Sequence, residues 1–318
     1  MYTEISRCRF CGKKNLITVL SLGEQHLTGV FPKSRDDAVS KGPLDLVFCA
    51  DCSLLQMKQS YSPDEMYGEN YGYRSGLNQS MVRHLRHKIR TLEEFARPGE
   101  NDLVLDIGSN DATTLKAHAS PCRKAGIDPT GAKFKACYTG DIHLIPSFFS
   151  AAAFQDAFPE QKAKIITSIA MFYDLEEPAR FIGELEKCLA DDGIWHFEQS
   201  HMPSMLRTNA YDAVCHEHLE FYSFRIVTDM LEQSGLRVKG ASSFCLRERR
   251  ARYVIFSPYA LTNSPCADGK NASALTPRSS TGASAAVYAA IRERHAMFSA
   301  GSRPFPLKAW RGSWLSTN

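Results

Sequence analysis

The 318-residue chain has no apolar run long enough to span a membrane, and residues 1–11 lack the basic-then-apolar order of a signal peptide. A membrane partner is therefore not expected, and a cytoplasmic setting is. A disulfide framework is missing too. Four of the ten cysteines fall in two tight pairs while the rest scatter, which suits reduced thiols and a metal better than a secreted scaffold. Acidic residues become scarce only late in the chain: residues 246–318 hold 3 Asp or Glu against 11 Lys or Arg, whereas residues 1–245 hold 32 acidic against 27 basic. Most of the chain thus has no general attraction for nucleic acid, so no nucleic-acid partner is expected. Sequence alone does not indicate an oligomeric state.

What is present divides into three stretches, about what the length and a hydrophobic content of 43% allow. Residues 1–62 are short pieces punctuated by Gly12, Gly23, Gly29, Pro32 and Pro43, and a small, loop-rich module is expected there. Residues 63–257 form the main domain. An amphipathic helix is expected over 77–95, where Leu77, Met81, Leu85, Ile89, Leu92 and Phe95 recur at three- and four-residue intervals. Short apolar strands and helical stretches then alternate, with strands at 103–107, 123–127, 142–145, 165–170, 194–198 and 236–241. That order argues for a mostly parallel sheet covered by helices on both faces, an α/β fold. Residues 258–318 read as a poorly ordered, Ser-, Ala- and Arg-rich tail.

The pairs Cys8-x-x-Cys11 and Cys49-x-x-Cys52 supply four thiolates, the ligand set of a closed, structural zinc site. In the main domain, the segment D-L-V-L-D-I-G-S-N-D-A-T-T-L runs from a strand ending near Asp106 through Gly108, Ser109 and Asn110 into a helix near Thr113. A ligand binds beyond such a strand end, and Gly108 lets the backbone approach it. Asp128, just past the next strand, is placed to accept two hydrogen bonds from a ribose diol. Of a dinucleotide-binding glycine fingerprint only Gly108 is present, and Asp111 would repel a pyrophosphate. S-adenosylmethionine (SAM), which has no phosphate and a cationic sulfonium, fits better.

A second cluster combines E-Q-S-H-M-P-S-M after the strand ending near Phe197 with His216, Glu217 and His218, flanked by Tyr211 and Tyr222. So many groups able to take or give protons suggest catalysis, although either histidine alone would serve equally well as a helix cap. Tyr61, Tyr67, Tyr71 and Tyr73, near Arg74, read either as packing or as a lid over a polar substrate.

The ordered series C-R-F-C-G, F-C-A-D-C, Y-G-Y-R-S-G-L-N, L-D-I-G-S-N-D, G-I-D-P, S-I-A-M-F-Y-D-L, E-Q-S-H-M-P-S-M-L and C-H-E-H-L-E-F-Y-S spans residues 5–244. It resembles the SAM-dependent nucleotide-sugar C-methyltransferases. The resemblance implies a Rossmann-like class I methyltransferase fold with a small N-terminal zinc-binding module. It also implies a small-molecule substrate, typically a dTDP-linked 4-keto deoxysugar methylated at the carbon beside its ketone through an enolate. By this likeness His218 is the base, Glu217 orients or relays, His216 belongs to the same catalytic cluster, and Tyr73 and Tyr222 contact substrate. Asp106, Gly108, Ser109, Asn110 and Asp128 would bind SAM, with Ser147, Phe148 and Phe149 around the adenine and Met171 and Tyr173 on the methyl-transfer face. An O- or N-methyltransferase of another metabolite, or a truncated homologue that only binds SAM, is the alternative.

Three features depart from the family's pattern. Ala112 stands where a second glycine is usual. Asp174 and Cys215 stand where a histidine and a tyrosine are frequent. Where an N-G-G-S-L-R stretch is expected, the chain reads E-R-R-A-R-Y and continues as an Arg-rich tail instead of a further α/β domain. Translation out of frame after about Phe244 is the expectation, with a natural basic tail as the other reading.

Overall fold

The computed structural model describes residues 2–67, 71–208, 210–241 and 253–259. Strands β1 (Tyr2–Glu4), β2 (Leu16–His26), β3 (Lys41–Cys49), β4 (Leu55–Met57) and β5 (Gln59–Tyr61) precede the short helix α1 (Pro63–Met66). The loop-rich expectation for this region is thereby corrected, since β2 and β3 pair antiparallel from Leu16↔Cys49 to His26↔Lys41. The signal was weak because β2 is an edge strand whose side chains lie mostly in solvent, so no apolar–polar alternation marks it.

The main domain follows the expected alternation. Its elements are α2 (Gln79–Ala96), β6 (Leu103–Ile107), α3 (Thr113–Lys116), β7 (Arg123–Ile127), β8 (Ile142–Ile145), α4 (Ala151–Ala157) and β9 (Ala163–Ile169). After these come α5 (Pro178–Cys188), β10 (Leu189–Ser200), α6 (Met202–Thr208), β11 (Glu220–Phe221), α7 (Phe224–Gln233), β12 (Arg237–Ala241) and β13 (Tyr253–Tyr259). Helix α2 begins where the Asn78 side chain accepts hydrogen bonds from the amides of Ser80 and Met81, and it stops at Arg97, whose backbone is left-handed. Loss of such a cap costs about 1 kcal/mol.

Seven strands form one sheet in the order β12-β13-β10-β9-β6-β7-β8, and every neighbouring pair runs parallel. Strand side chains alternate between two cores. Leu103, Leu105 and Ile107 of β6 pack with Phe154, Ile182, Leu185 and Met230 from α4, α5 and α7. Val104 turns the other way, toward Ile89 and Leu92 of α2 and Leu115 of α3. Truncating a buried leucine such as Leu105 to alanine costs about 2–5 kcal/mol. The chain winds in one direction from β6 to β8 and in the other from β9 to β10, so the switch point lies between β6 and β9. Loops after those strands diverge there and leave a crevice.

The two-residue strand β11 leaves the main domain and pairs with β4, Glu220↔Gln56 and Phe221↔Leu55. It completes a four-stranded sheet, β11-β4-β3-β2, built largely from N-terminal residues. Among the described residues no helix is long and apolar enough to cross a membrane. Apart from the backbone of β13, the tail of 258–318 and the expected change of reading frame after Phe244 lie outside the described residues.

Candidate functional site

The four paired cysteines converge. All are free thiols, and their sulfurs lie within 4.8 Å of one another, with Cys8–Cys52 at 3.6 Å and Cys11–Cys49 at 3.5 Å. A tetrahedral zinc ion with sulfurs at ~2.3 Å sets neighbouring sulfurs ~3.8 Å apart, so the set fits zinc as it stands. Four sulfurs leave no coordination position for a substrate, and the ion's work is structural. Each knuckle turns the same way: the Gly12 amide donates to the Cys8 carbonyl and the Ser53 amide to the Cys49 carbonyl, both at 2.9 Å. Gly12 and Ser53 are both left-handed, at φ 68° and 70°. A hydrogen bond from Cys52, aided by Gln56, pulls the Cys8 thiol down to about 5, while burial holds Cys49 up at about 11.

Beyond the carboxyl ends of β6, β7 and β9 opens a cavity of about 550 Å³, at the switch point and of a size for a small molecule. Five of the expected cofactor residues line it: Gly108, Asp128, Phe148, Phe149 and Met171. Gly108 sits at φ 73°, and a Cβ there would come within 3.3 Å of the Met171 side chain. Asp128 accepts from the Asn110 amide at 2.7 Å and from the amide and hydroxyl of Thr130, each at 2.6 Å. A carboxylate offers about four acceptor positions, so capacity for a ribose hydroxyl is left. Phe149 is braced by Phe181, ring centroids 5.1 Å apart.

The other five expected residues stand behind the wall. Asp106 is 2% exposed and accepts a hydrogen bond from the Thr167 hydroxyl. Burial raises its carboxyl to about 7 against the pull of the threonines. Ser109 bonds Tyr138 at 2.7 Å, and Asn110 accepts from the Ser75 amide and donates to the Tyr73 carbonyl, both at 3.1 Å. Ser147 donates its amide to Ile145 at 2.9 Å, and Tyr173 is buried. Asp111, at the helix start, accepts from the Gly76 amide at 3.0 Å and lies 3.6 Å from Arg74. A carboxylate therefore occupies the place a pyrophosphate would need.

The histidine loop spans the two modules. His218 donates through Nδ1 to the Ala213 carbonyl at 2.8 Å, which leaves Nε2 with its lone pair, and the Tyr173 ring lies edge-on at 4.2 Å. His216 is 1% exposed. Its Nδ1 accepts from the Thr28 amide at 3.3 Å, its Nε2 faces the Gly42 carbonyl at 3.4 Å, and Tyr61 packs on its ring at 4.7 Å. Burial lowers its pKa, keeping it neutral. Its contacts are those of a strut holding the loop to residues 28–42. Glu217 lies on Gly29, which is at φ 77°, and a Cβ there would fall 1.7 Å from the carboxylate. Burial raises the Glu217 carboxyl while nearby His218 opposes the shift. Tyr222 is fully buried with its ring 5.4 Å from Phe172, and Tyr73 is 46% exposed; none of Tyr73, His216, Glu217, His218 and Tyr222 lines the cavity.

Two residues on the cavity wall were not among the candidates. In sequence Tyr67 is one of an aromatic stretch and Asp174 a departure from the family pattern. Tyr67 and Asp174 both line the cavity. Burial drives the Asp174 carboxyl far above the usual carboxylate range; Glu217 and Cys215 add to the rise, and His218 and Tyr67 oppose it. The hint available in sequence was the acidic substitution itself at a family histidine position.

Two family models match the chain. Residues 8–67 match a family model described as a zinc binding domain, and residues 81–239 match one described as a methyltransferase domain. C-methyltransferase NovU of Streptomyces niveus is 28% identical over 239 residues, which cover 74% of this chain and 56% of that protein. The chain thus spans little more than half the length of this relative. Among solved structures, the plantazolicin methyltransferase BamL is 14% identical, with 49% of this chain and 63% of that one covered at a TM-score of 0.39. The YcgJ protein of Bacillus subtilis is 16% identical, with 46% and 67% covered at a TM-score of 0.36.

Proposed function

The chain belongs to the methyltransferase domain family, and from that premise we propose that it transfers a methyl group from SAM to a substrate carbon made acidic by a neighbouring ketone. The observation carrying this reading is the state of His218. Its Nδ1–H is committed to the Ala213 carbonyl, so Nε2 is the nitrogen left to accept a proton, as abstraction of a carbonyl-activated proton requires. His218 lies close enough to Asp174, on the cavity wall, to affect its protonation. The C-methyltransferase name of the Streptomyces relative supports carbon as the acceptor.

In this proposal Gly108, Asp128, Phe148, Phe149 and Met171 hold SAM, which supplies an electrophilic methyl group when bound. Asp106, Ser109, Asn110 and Ser147 fix the loops behind them. Glu217 orients His218, and His216 and Tyr222 keep the loop in place. Tyr73 borders the substrate side. The substrate is a nucleotide-linked keto deoxysugar, the class implied by the motif resemblance. Division at 62/63 and 257/258 and a reducing, cytoplasmic setting belong to the same proposal.

Calorimetry with S-adenosylhomocysteine (SAH), paired with SAM turnover on dTDP-linked 4-keto deoxysugars, tests the reading. His218→Asn is expected to retain SAH binding and lose turnover by at least about 100-fold, the scale of general-base catalysis. Retained turnover would remove the enolate step and point to methylation of oxygen or nitrogen.

A further inference from the structure

Asp174 ends the single turn Phe172–Asp174 after β9 and forms part of the cavity wall. One of its carboxyl oxygens, Oδ1, is buried with no hydrogen-bond partner, and Tyr67 lines the same cavity. The groups facing it are Tyr67, Tyr173, Cys215, Glu217 and His218. A buried oxygen left unpaired on the wall of a binding cavity is costly unless the ligand completes it.

We propose, building on the enolate reading above, that Asp174 is a second catalytic residue, a carboxylic acid that hydrogen-bonds the substrate's carbonyl oxygen while His218 takes the proton from the adjacent carbon. Two carboxyls in one desolvated site do not both ionise, and of the Asp174–Glu217 pair it is Asp174 that lines the cavity with a buried, unpartnered oxygen. Ionised, it would repel the oxygen on which charge develops; protonated, it stabilises that oxygen.

The step balances without any further reactant. The C–H bond breaks with its proton going to His218 Nε2, its electron pair becomes the C=C bond, and the carbonyl π pair moves to the oxygen held by the Asp174 O–H. The enolate carbon then takes the methyl group while the S–CH3 pair stays on sulfur, and the carbonyl re-forms. His218 afterwards loses its proton to water.

The test follows exchange of the substrate's acidic C–H in deuterated water, using the full chain with SAH and a dTDP-linked 4-keto-6-deoxyglucose. Asp174→Ala is expected to slow exchange about 100-fold or more, the usual effect of removing one donor from a developing oxyanion. Asp174→Asn, which keeps a neutral donor, stays within about tenfold of wild type. Equal exchange in wild type and Asp174→Ala would overturn the proposal but leave the enolate reading intact. No exchange in wild type would overturn both. The infrared difference between wild type and Asp174→Asn at pH 7 decides protonation without any substrate and without the alanine variant. A carboxylic-acid carbonyl band in wild type supports the proposal, and carboxylate bands alone contradict it.

Discussion

The cofactor cavity and the histidine loop differ in how they are built. Most of the cavity's wall comes from loops close in sequence to the strands that hold them, Gly108 after β6, Asp128 after β7, and Phe148 and Phe149 after β8, with Pro63 and Tyr67 reaching it from the N-terminal side. The histidine loop depends on partners nearly 190 residues away, since Thr28 holds His216 and Gly29 seats Glu217. It is also anchored by the pairing of β11 with β4, next to the zinc knuckle of Cys49 and Cys52. Cys8, Cys49 and Leu54 share one core with Phe172 and Tyr222. Zinc at the four cysteines would therefore support the histidine loop through β4 and β11, whereas the strands under the cavity share that core through Leu103, Leu105 and Ile107 but are hydrogen-bonded within the parallel sheet.

Removing the metal breaks this comparison most severely. Structural zinc contributes on the order of 10 kcal/mol to folding of small zinc modules. Chelation, or Cys49→Ser, is expected to remove hydrogen-exchange protection from residues 8–57 and 215–221 while the amides of β6 and β7 stay protected. Uniform loss of protection would mean that the two parts are not separable.

Asp106 gives the next largest effect. Its folded-state pKa of about 7 lies above the ordinary carboxylate value, so the folded chain binds the extra proton between pH 4 and 7. Stability is accordingly greatest below that window and falls as pH rises through it. Asp106→Asn removes the charged form and is expected to raise stability by roughly 2–4 kcal/mol at pH 8, and by little at pH 4. Denaturant melts at the two pH values check this. Gly29→Ala comes third: it strains a left-handed position and displaces Glu217, so turnover should fall about 10–100-fold, or ~1.4–2.7 kcal/mol, in a steady-state assay. The smallest effect belongs to Ala112, buried at φ 59° before α3. Ala112→Gly relieves that backbone and should shift stability by no more than about 1 kcal/mol in either direction, as measured by thermal melting.

The same contrast explains what sequence could reveal. Strand 103–107 was readable because it is a short run buried throughout in a parallel sheet, and 123–127 and 142–145 because their buried ends, Ala125–Ile127 and Ile145, are closed by turn residues. The Cys-x-x-Cys spacing was readable because the ligand chemistry is local. Strand β2 was not, being exposed at an edge, and neither was β11, two residues long and defined only by a distant partner. Among site residues, Asp128 and Gly108 declared themselves by their distance from a strand end. The structural task of His216, the burial of Tyr222 and the meeting of Tyr67 and Asp174 on one cavity wall depend on contacts across the modules, which no periodicity encodes.

SAH calorimetry on Asp128→Ala and Gly29→Ala, side by side with wild type, tests the division most directly. Loss of a charged hydrogen-bond acceptor to the ribose should weaken binding about 10- to 100-fold in Asp128→Ala, while Gly29→Ala binds SAH as wild type does. Equal weakening in both variants would contradict the account, because the histidine loop would then be part of the cofactor wall.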